Sequence, residues 1–259
     1  MDAVIQVDRL RVRRGDPVVL HDVTFSVEPG DFLAIVGPNG AGKTTLLHTL
    51  LGLLTPEAGG VWIAGRSIRT YTRRRLARLL SYVPQNDGRA ISFTVEEFIL
   101  LGRYAHRGRF AAPDREDRRV LREAMEVTGT RTFADRPVSS LSGGERQKVL
   151  IAAALAQEAD VLLLDEPTVF LDPRHQVEAT DLLCRLHQQR ALTILMVTHD
   201  LNVAAQCRRV LAVRDGSVAY YGLADGFLTA DILGELYGVP FDILRRPDGR
   251  VWAAVGATR

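Results

Sequence analysis

Cysteine, tryptophan and methionine are scarce in this 259-residue sequence, at two, two and three residues. Cys184 and Cys207 fit no C-x-x-C or metal-ligand spacing. That argues against a zinc site or disulfide framework, and both read as small buried residues of a reducing compartment. Long apolar runs are missing as well. No stretch approaches the roughly 18 residues needed to cross a bilayer; those around 46–54 and 149–156 are too short or broken by polar residues. The opening residues lack a basic segment followed by an apolar one, so no signal peptide is expected. Nor is there an excess of charge. Thirty-three basic residues stand against 31 acidic ones, a net of +2, which speaks against nucleic acid as a partner.

What is present is ordinary globular composition, 46% apolar and 25% charged. A chain of this length buries roughly 70–75% of its unfolded surface. The expectation is a single domain, 1–259, carrying an inserted helical lobe at 86–150 and a tail at 223–259. Val4–Val7 and Val23–Val27 alternate like half-buried strands, and Glu28-Pro29-Gly30-Asp31 marks a turn. Phe32–Val36, Ser81–Val83, Val161–Leu164 and Leu192–Val197 are short continuous apolar runs, the pattern of strands buried on both faces of a parallel sheet. The last three end in polar clusters, and ligands of open parallel sheets gather at such carboxyl ends. Val210–Val213 and Val218–Tyr221 suggest a hairpin through Asp215-Gly216. The fold class is therefore α/β.

Gly37-Pro38-Asn39-Gly40-Ala41-Gly42-Lys43-Thr44 fits G-x-x-x-x-G-K-[ST] between a strand and a helix expected over Lys43–Leu54. Glycines let successive backbone N–H groups face a phosphate chain, and the helix adds the positive end of its dipole. Lys43 is then suited to neutralise phosphate oxygens and the Thr44 hydroxyl to bind Mg²⁺. Asp165-Glu166, ending an apolar strand, offers one carboxylate for Mg²⁺ and one to take a proton from water. Leu141-Ser142-Gly143-Gly144-Glu145 contains an S-x-x-E capping box opening a helix through Ala156. Two glycines in a first turn cost about 1 kcal/mol each relative to alanine, which makes sense where an anion approaches the backbone closely.

The ordered set GPNGAGKT, Gln85, LSGGERQ, VLLLDEP, Leu171-Asp172 and His199 resembles ABC ATPase domains from about residue 4 to 222. That resemblance implies a P-loop ATPase core with a parallel sheet, an N-terminal antiparallel β subdomain and an inserted α-helical subdomain. It implies a head-to-tail homodimer with ATP held between the phosphate loop of one subunit, Thr45 included, and Ser142, Gly143 and Gly144 of the other. Glu166 resembles the catalytic base, and His199 the switch histidine at the γ-phosphate. Gln85 resembles the residue that senses Mg²⁺ and links to the lobe, and Asp172 belongs to the loop that crosses the dimer interface.

Three departures from the family pattern stand out. Where an aromatic usually stacks on adenine, the chain has Arg14, whose planar guanidinium could stack instead. Val169-Phe170 replaces a common Ser-Ala pair. Arg73-Arg74-Arg75 with Arg78 forms a basic patch, read as a solvated helix face or a lipid-headgroup contact. The run Asp114–Arg119 reads as an exposed helix face, and the histidines other than His199 as surface or packing residues.

The segments from Phe93 to His106 and from Leu233 to Val239 resemble bacterial importers of iron-siderophore, haem and cobalamin. They imply a membrane permease docked near Gln85–Arg103, an extracytoplasmic substrate-binding protein, and a place on the cytoplasmic face of the inner membrane. An importer or exporter of another solute, and a non-transport ABC ATPase acting on ribosomes or DNA, remain as alternatives.

Overall fold

The computed structural model describes residues 3–15, 17–85, 92–107, 111–245 and 251–256. The chain divides into two compact units, Met1–Thr70 with Thr193–Arg259, and Tyr71–Leu192. No helix among the described residues is long and apolar enough to cross a membrane.

In the first unit, the strands Val18–Val27, Ile5–Arg13, Ala58–Ile63 and Arg66–Ser67 form an antiparallel sheet in that order. Ile5–Arg13 begins with Ile5 and Val7 buried, as alternation implies, and then changes parity, so that Leu10 and Val12 are buried instead. The pairing slips between Val7 and Leu10, where Arg9 takes a left-handed φ of +41°. One extra residue sends every later side chain to the opposite face. The strand Ala58–Ile63 opens on Gly59 and Gly60, which hide its pattern in the sequence.

Two other strands of this unit lead into the loop 37–42 and to His199. Phe32–Val36 and Thr193–Val197 are buried at every position and run parallel, Phe32 opposite Ile194 and Ile35 opposite Val197. On its other edge Phe32–Val36 pairs in parallel with Arg209–Arg214, which turns at Asp215-Gly216 into the antiparallel Ser217–Leu223. Asp31, fully buried before Phe32, accepts a bond from the Glu28 N–H at 2.9 Å and pairs with Arg208 at 3.0 Å. This fixes the turn that leads into the strand. The helix at Lys43 ends at Leu50, earlier than expected, because Gly52 at φ +67° leads the chain away. Beyond residue 223 come the helices Ala224–Phe227 and Ala230–Tyr237 and the hairpin Phe241–Arg245 with Val251–Val255.

In the second unit, Leu80–Val83 pairs in parallel with Val161–Asp165. The helices Val95–Leu101, Arg115–Thr128 and Gly143–Ala156 pack around Ile99, Val120, Leu121, Met125 and Val149. Each opens with a complete capping box: Thr94 with Glu97, Asp114 with Asp117, and Ser142 with Glu145. Residues 86–91, where the lobe was expected to begin, lie outside the described residues.

Two charged segments behave differently from the solvated faces they resemble. Asp117, inside the run 114–119, is only 3% exposed and receives the Arg103 guanidinium at 3.0 Å. Arg103, also 3% exposed, further bonds the Ala156 carbonyl at 2.9 Å and Glu158 at 2.6 Å. One buried guanidinium thus joins the Gly102–Ala105 turn to two helices. In the basic patch, Arg74 and Arg78 donate to the Ala105 carbonyl at 2.9 and 3.0 Å, tying their segment to the same turn.

Burial works against an ionised Asp117, yet bonds from Arg103 and the helix backbone outweigh it and hold the carboxyl below its usual range. Asp117→Ala would take one charged partner from the buried Arg103 guanidinium and leave it Glu158 and the Ala156 carbonyl, and a loss of about 1–3 kcal/mol is expected in chemical denaturation. A carboxylate with a depressed folded pKa contributes stability above its unfolded value of about 3.9 and loses it as pH falls through the folded one. The wild-type chain should therefore lose stability below about pH 4 more steeply than Asp117→Asn.

Candidate active site

In the first unit, the strand Phe32–Val36 runs straight into the loop 37–42 and then the helix Lys43–Leu50. Position 37 has to be glycine on two counts. Its φ is +143°, and a Cβ there would stand 2.0 Å from the Val213 carbonyl oxygen. The close approach seats the loop on the end of the neighbouring strand. Asn39 and Gly40 are exposed, Pro38 and Thr44 half-buried, and Ala41, Gly42 and Thr45 buried. Lys43 is 6% exposed, and its ammonium donates to the carbonyls of Gly37 and Pro38 at 2.7 and 2.9 Å. A cation is thereby held inside a ring of backbone at a helix amino end, which is the arrangement a polyphosphate needs.

His199 stands exposed just past the strand Thr193–Val197. The Thr198 N–H before it donates to the Ile35 carbonyl at 3.1 Å, and Asp200 after it caps the helix Leu201–Ala204. Its backbone is therefore pinned on both sides, beside the end of the strand that feeds the phosphate loop. Arg14 lies exposed in the turn after Ile5–Arg13, its N–H donating to the Pro17 carbonyl at 3.3 Å. Tyr237 was not singled out in the sequence. Its phenol faces the Gly37 backbone, and burial pushes its pKa up to about 12.

In the second unit, the strands Leu80–Val83 and Val161–Asp165 bring four polar groups together at their carboxyl ends, in two pairs. Asp165 is 3% exposed, and the Tyr82 hydroxyl reaches it at 3.5 Å. Burial first, and then the charge of Asp165, raise the Tyr82 pKa well above the usual phenol range, so it stays a neutral donor. The Gln85 side-chain N–H donates to Glu166 at 3.0 Å. Glu166 has a φ of +48°, a left-handed conformation for a residue with a side chain. Strain of this kind costs about 1–3 kcal/mol and concentrates at functional positions. Phe170, four residues on, repeats it at φ +67° with its ring 81% exposed.

The segment 142–144 forms the amino end of the helix Gly143–Ala156. Ser142 Oγ accepts the Glu145 N–H at 3.3 Å, and Glu145 accepts the Ser142 N–H at 2.8 Å. That backbone bond, with the Ser142 hydroxyl and Arg136 behind it, keeps the Glu145 carboxyl below its usual range. Ser142 and Gly143 are exposed, Gly144 buried. Asp172 caps the helix Pro173–Arg190, and its two oxygens bind the backbone N–H and the ring of His175. Both bonds hold the Asp172 carboxyl low. Within this unit, then, Gln85 joins Glu166, Tyr82 joins Asp165, and Asp172 joins His175. The roles of Tyr82 and His175 left no mark in the motif text. Tyr82 is visible afterwards as the residue three before Gln85, and His175 as the third helical residue after an Asp-Pro start.

A family model described as ABC transporter matches residues 20–169, and a shorter match, over 134–205, is to a model of an AAA domain. The iron(3+)-hydroxamate import ATP-binding protein FhuC of Bacillus subtilis is 38% identical over 244 residues, covering 94% of this chain and 91% of that protein. An ABC transporter structure described as of metal-chelate type, in an inward-facing conformation, superposes with a TM-score of 0.87 at 29% identity. The match covers 99% of this chain and 98% of that one. The dimeric ATP-binding cassette MJ0796, bound to ADP and phosphate after hydrolysis, gives 0.74 at 28% identity, covering 85% and 98%. More than half of the sequence matches one family model, and the loop 37–42 lies inside the matched stretch. The chain belongs to the ABC transporter family and is one of its ATP-binding subunits that hydrolyse ATP.

Proposed function

We propose that two copies of this chain close head to tail around two ATP molecules and power import of a metal chelate of the iron-siderophore, haem or cobalamin class. They do so at the cytoplasmic face of the inner membrane, through a separate permease served by an external binding protein. The observation that carries the reading is the exposed amino end of the helix Gly143–Ala156. Ser142 and Gly143 turn an anion-seeking helix start outward, and the nucleotide of a second copy is the anion that fits it. Phe170, held exposed beside this segment in a strained turn, gives the same face an aromatic contact.

The residues divide the chemistry among themselves. The N–H groups of 37–45 and the Lys43 ammonium hold the phosphates, and His199 bonds the γ-phosphate. Glu166 takes a proton from water as its oxygen bonds to the γ-phosphorus and the bond to the bridging oxygen breaks, leaving ADP and phosphate. The Thr44 hydroxyl, the Gln85 carbonyl oxygen and the Asp165 carboxylate are hard oxygen donors, which suit Mg²⁺. Donation by the Gln85 N–H to Glu166 leaves its carbonyl oxygen for a cation. Bound there, Mg²⁺ would neutralise charge on the phosphate oxygens. Arg14 offers its guanidinium plane to the adenine.

Support for the permease comes from a cleft of about 550 Å³ lined by Arg73, Arg74, Ala77, Leu101, Tyr104 and Arg107. It lies in the Gln85–Arg103 neighbourhood, and Leu101 and Tyr104 are 48% and 67% exposed. An amphipathic permease helix would set its apolar side on these two residues. The cargo class rests on the likeness to a hydroxamate importer subunit and to the metal-chelate transporter.

Glu166→Gln is expected to lower ATP turnover at least about 100-fold while ATP still binds, and to yield an ATP-dependent dimer in size-exclusion chromatography. Intact turnover would remove Glu166 as the base. Lys43→Ala should abolish binding of a fluorescent ATP analogue while the circular dichroism spectrum stays unchanged. With its permease in vesicles, the wild-type pair should take up ferric hydroxamate, haem or cobalamin on ATP addition. Uptake of bare zinc or manganese instead would overturn the cargo assignment.

A further inference from the structure

Both oxygens of Asp172 bond His175. Oδ1 accepts the His175 N–H at 3.0 Å, and Oδ2 lies 2.6 Å from His175 Nδ1. The imidazole is therefore fixed in place by its own helix cap, and what it is fixed against is the backbone of Gly144. A Cβ at position 144 would stand 2.2 Å from His175 Cδ2, 2.4 Å from Cγ and 2.9 Å from Nε2. No side chain fits there while the ring stays. The preceding glycine rests on the same segment more loosely: a Cβ at 143 would meet Leu171 Cδ2 at 3.5 Å and the Phe170 carbonyl at 4.0 Å. Both glycines of 142–144 thus lean on residues 170–175, the chain that follows Glu166.

A flat ring against a backbone makes a stiff stop here, because glycine has no side chain to rotate and the bond to Asp172 holds the imidazole in its rotamer. We infer that His175 is a positioning residue of the ATPase: clamped by Asp172, its ring sets where the N–H groups of Gly143 and Gly144 stand when they meet the nucleotide of a second copy. The inference rests on the reading that this segment completes the partner's site. His175 itself touches no substrate. Its effect is geometric, and a misplacement of about 1 Å at such groups can cost 100-fold in rate. The glycine at 144 is explained in the same step, since it makes room for the ring.

The test uses the full chain. In a Glu166→Gln background, ATP-dependent dimerisation is followed by analytical ultracentrifugation with His175 intact, with His175→Ala and with His175→Gln. Turnover is followed in the same His175 variants carrying Glu166. The variants are expected to bind a fluorescent ATP analogue as monomers within about 2-fold of the parent, while dimer affinity and turnover fall about 10- to 100-fold. Gly144→Ala should be equally impaired, and His175→Ala combined with it should recover part of the loss, because the methyl then occupies the space of the ring. His175→Gln decides the matter should the alanine variant fail to fold. Unchanged dimerisation and turnover in the His175 variants would overturn the inference alone. Failure of the Glu166→Gln parent to dimerise with ATP would overturn the sandwich reading and the inference with it.

Discussion

A strand buried on both faces has no room for a charge, because taking an ion out of water costs far more than one contact returns. The chemistry of this chain is arranged around that constraint. Phe32–Val36 and Thr193–Val197 carry only apolar or small side chains, and the groups proposed to hold phosphate begin at the first residues beyond them. Val161–Asp165 admits one carboxylate, at its last position, and the neighbouring strand Leu80–Val83 supplies the Tyr82 hydroxyl for it. The carboxyl ends are thus the first places where the chain can afford ionised groups, and the backbone there is already held by its sheet neighbours.

The same economy of position governs the helices. Three amino ends in the second unit carry complete capping boxes, yet of these only the one at Ser142 presents a glycine, Gly143, to the outside. The other two boxes serve folding, with Thr94 and Asp114 starting helices that bury Ile99 and Val120. The Arg103 cluster braces the core of those helices, where Arg103 and Asp117 make each other's burial tolerable and Glu158 adds a bond from the surface.

Much of this was legible in the sequence. Continuous apolar runs mark double-sided burial, so the site-bearing strands were found within a residue or two, and the phosphate loop declared itself through glycine spacing. Less legible was whatever depends on a partner distant in sequence. Asp117 looks like any surface acid until Arg103 is brought to it, and Arg74 and Arg78 look solvated until the Ala105 carbonyl is in place. The strand Ala58–Ile63 is masked by two glycines, and the parity change at Arg9 breaks the alternation that would have extended the first strand. The hairpin of Phe241–Arg245 and Val251–Val255 has too few buried positions to print a pattern. The contact of His175 with Gly144 could not be read at all, because a glycine keeps no record of what fills its space.

Glu166 sits in a backbone region that glycine or asparagine would occupy at less cost. A selection for thermal stability alone would therefore favour replacing it, and every clone so improved would have lost the carboxylate proposed as the proton acceptor. On the proposed role, durability and turnover are opposed at this position, and a strained glutamate is the cost of placing a carboxylate there.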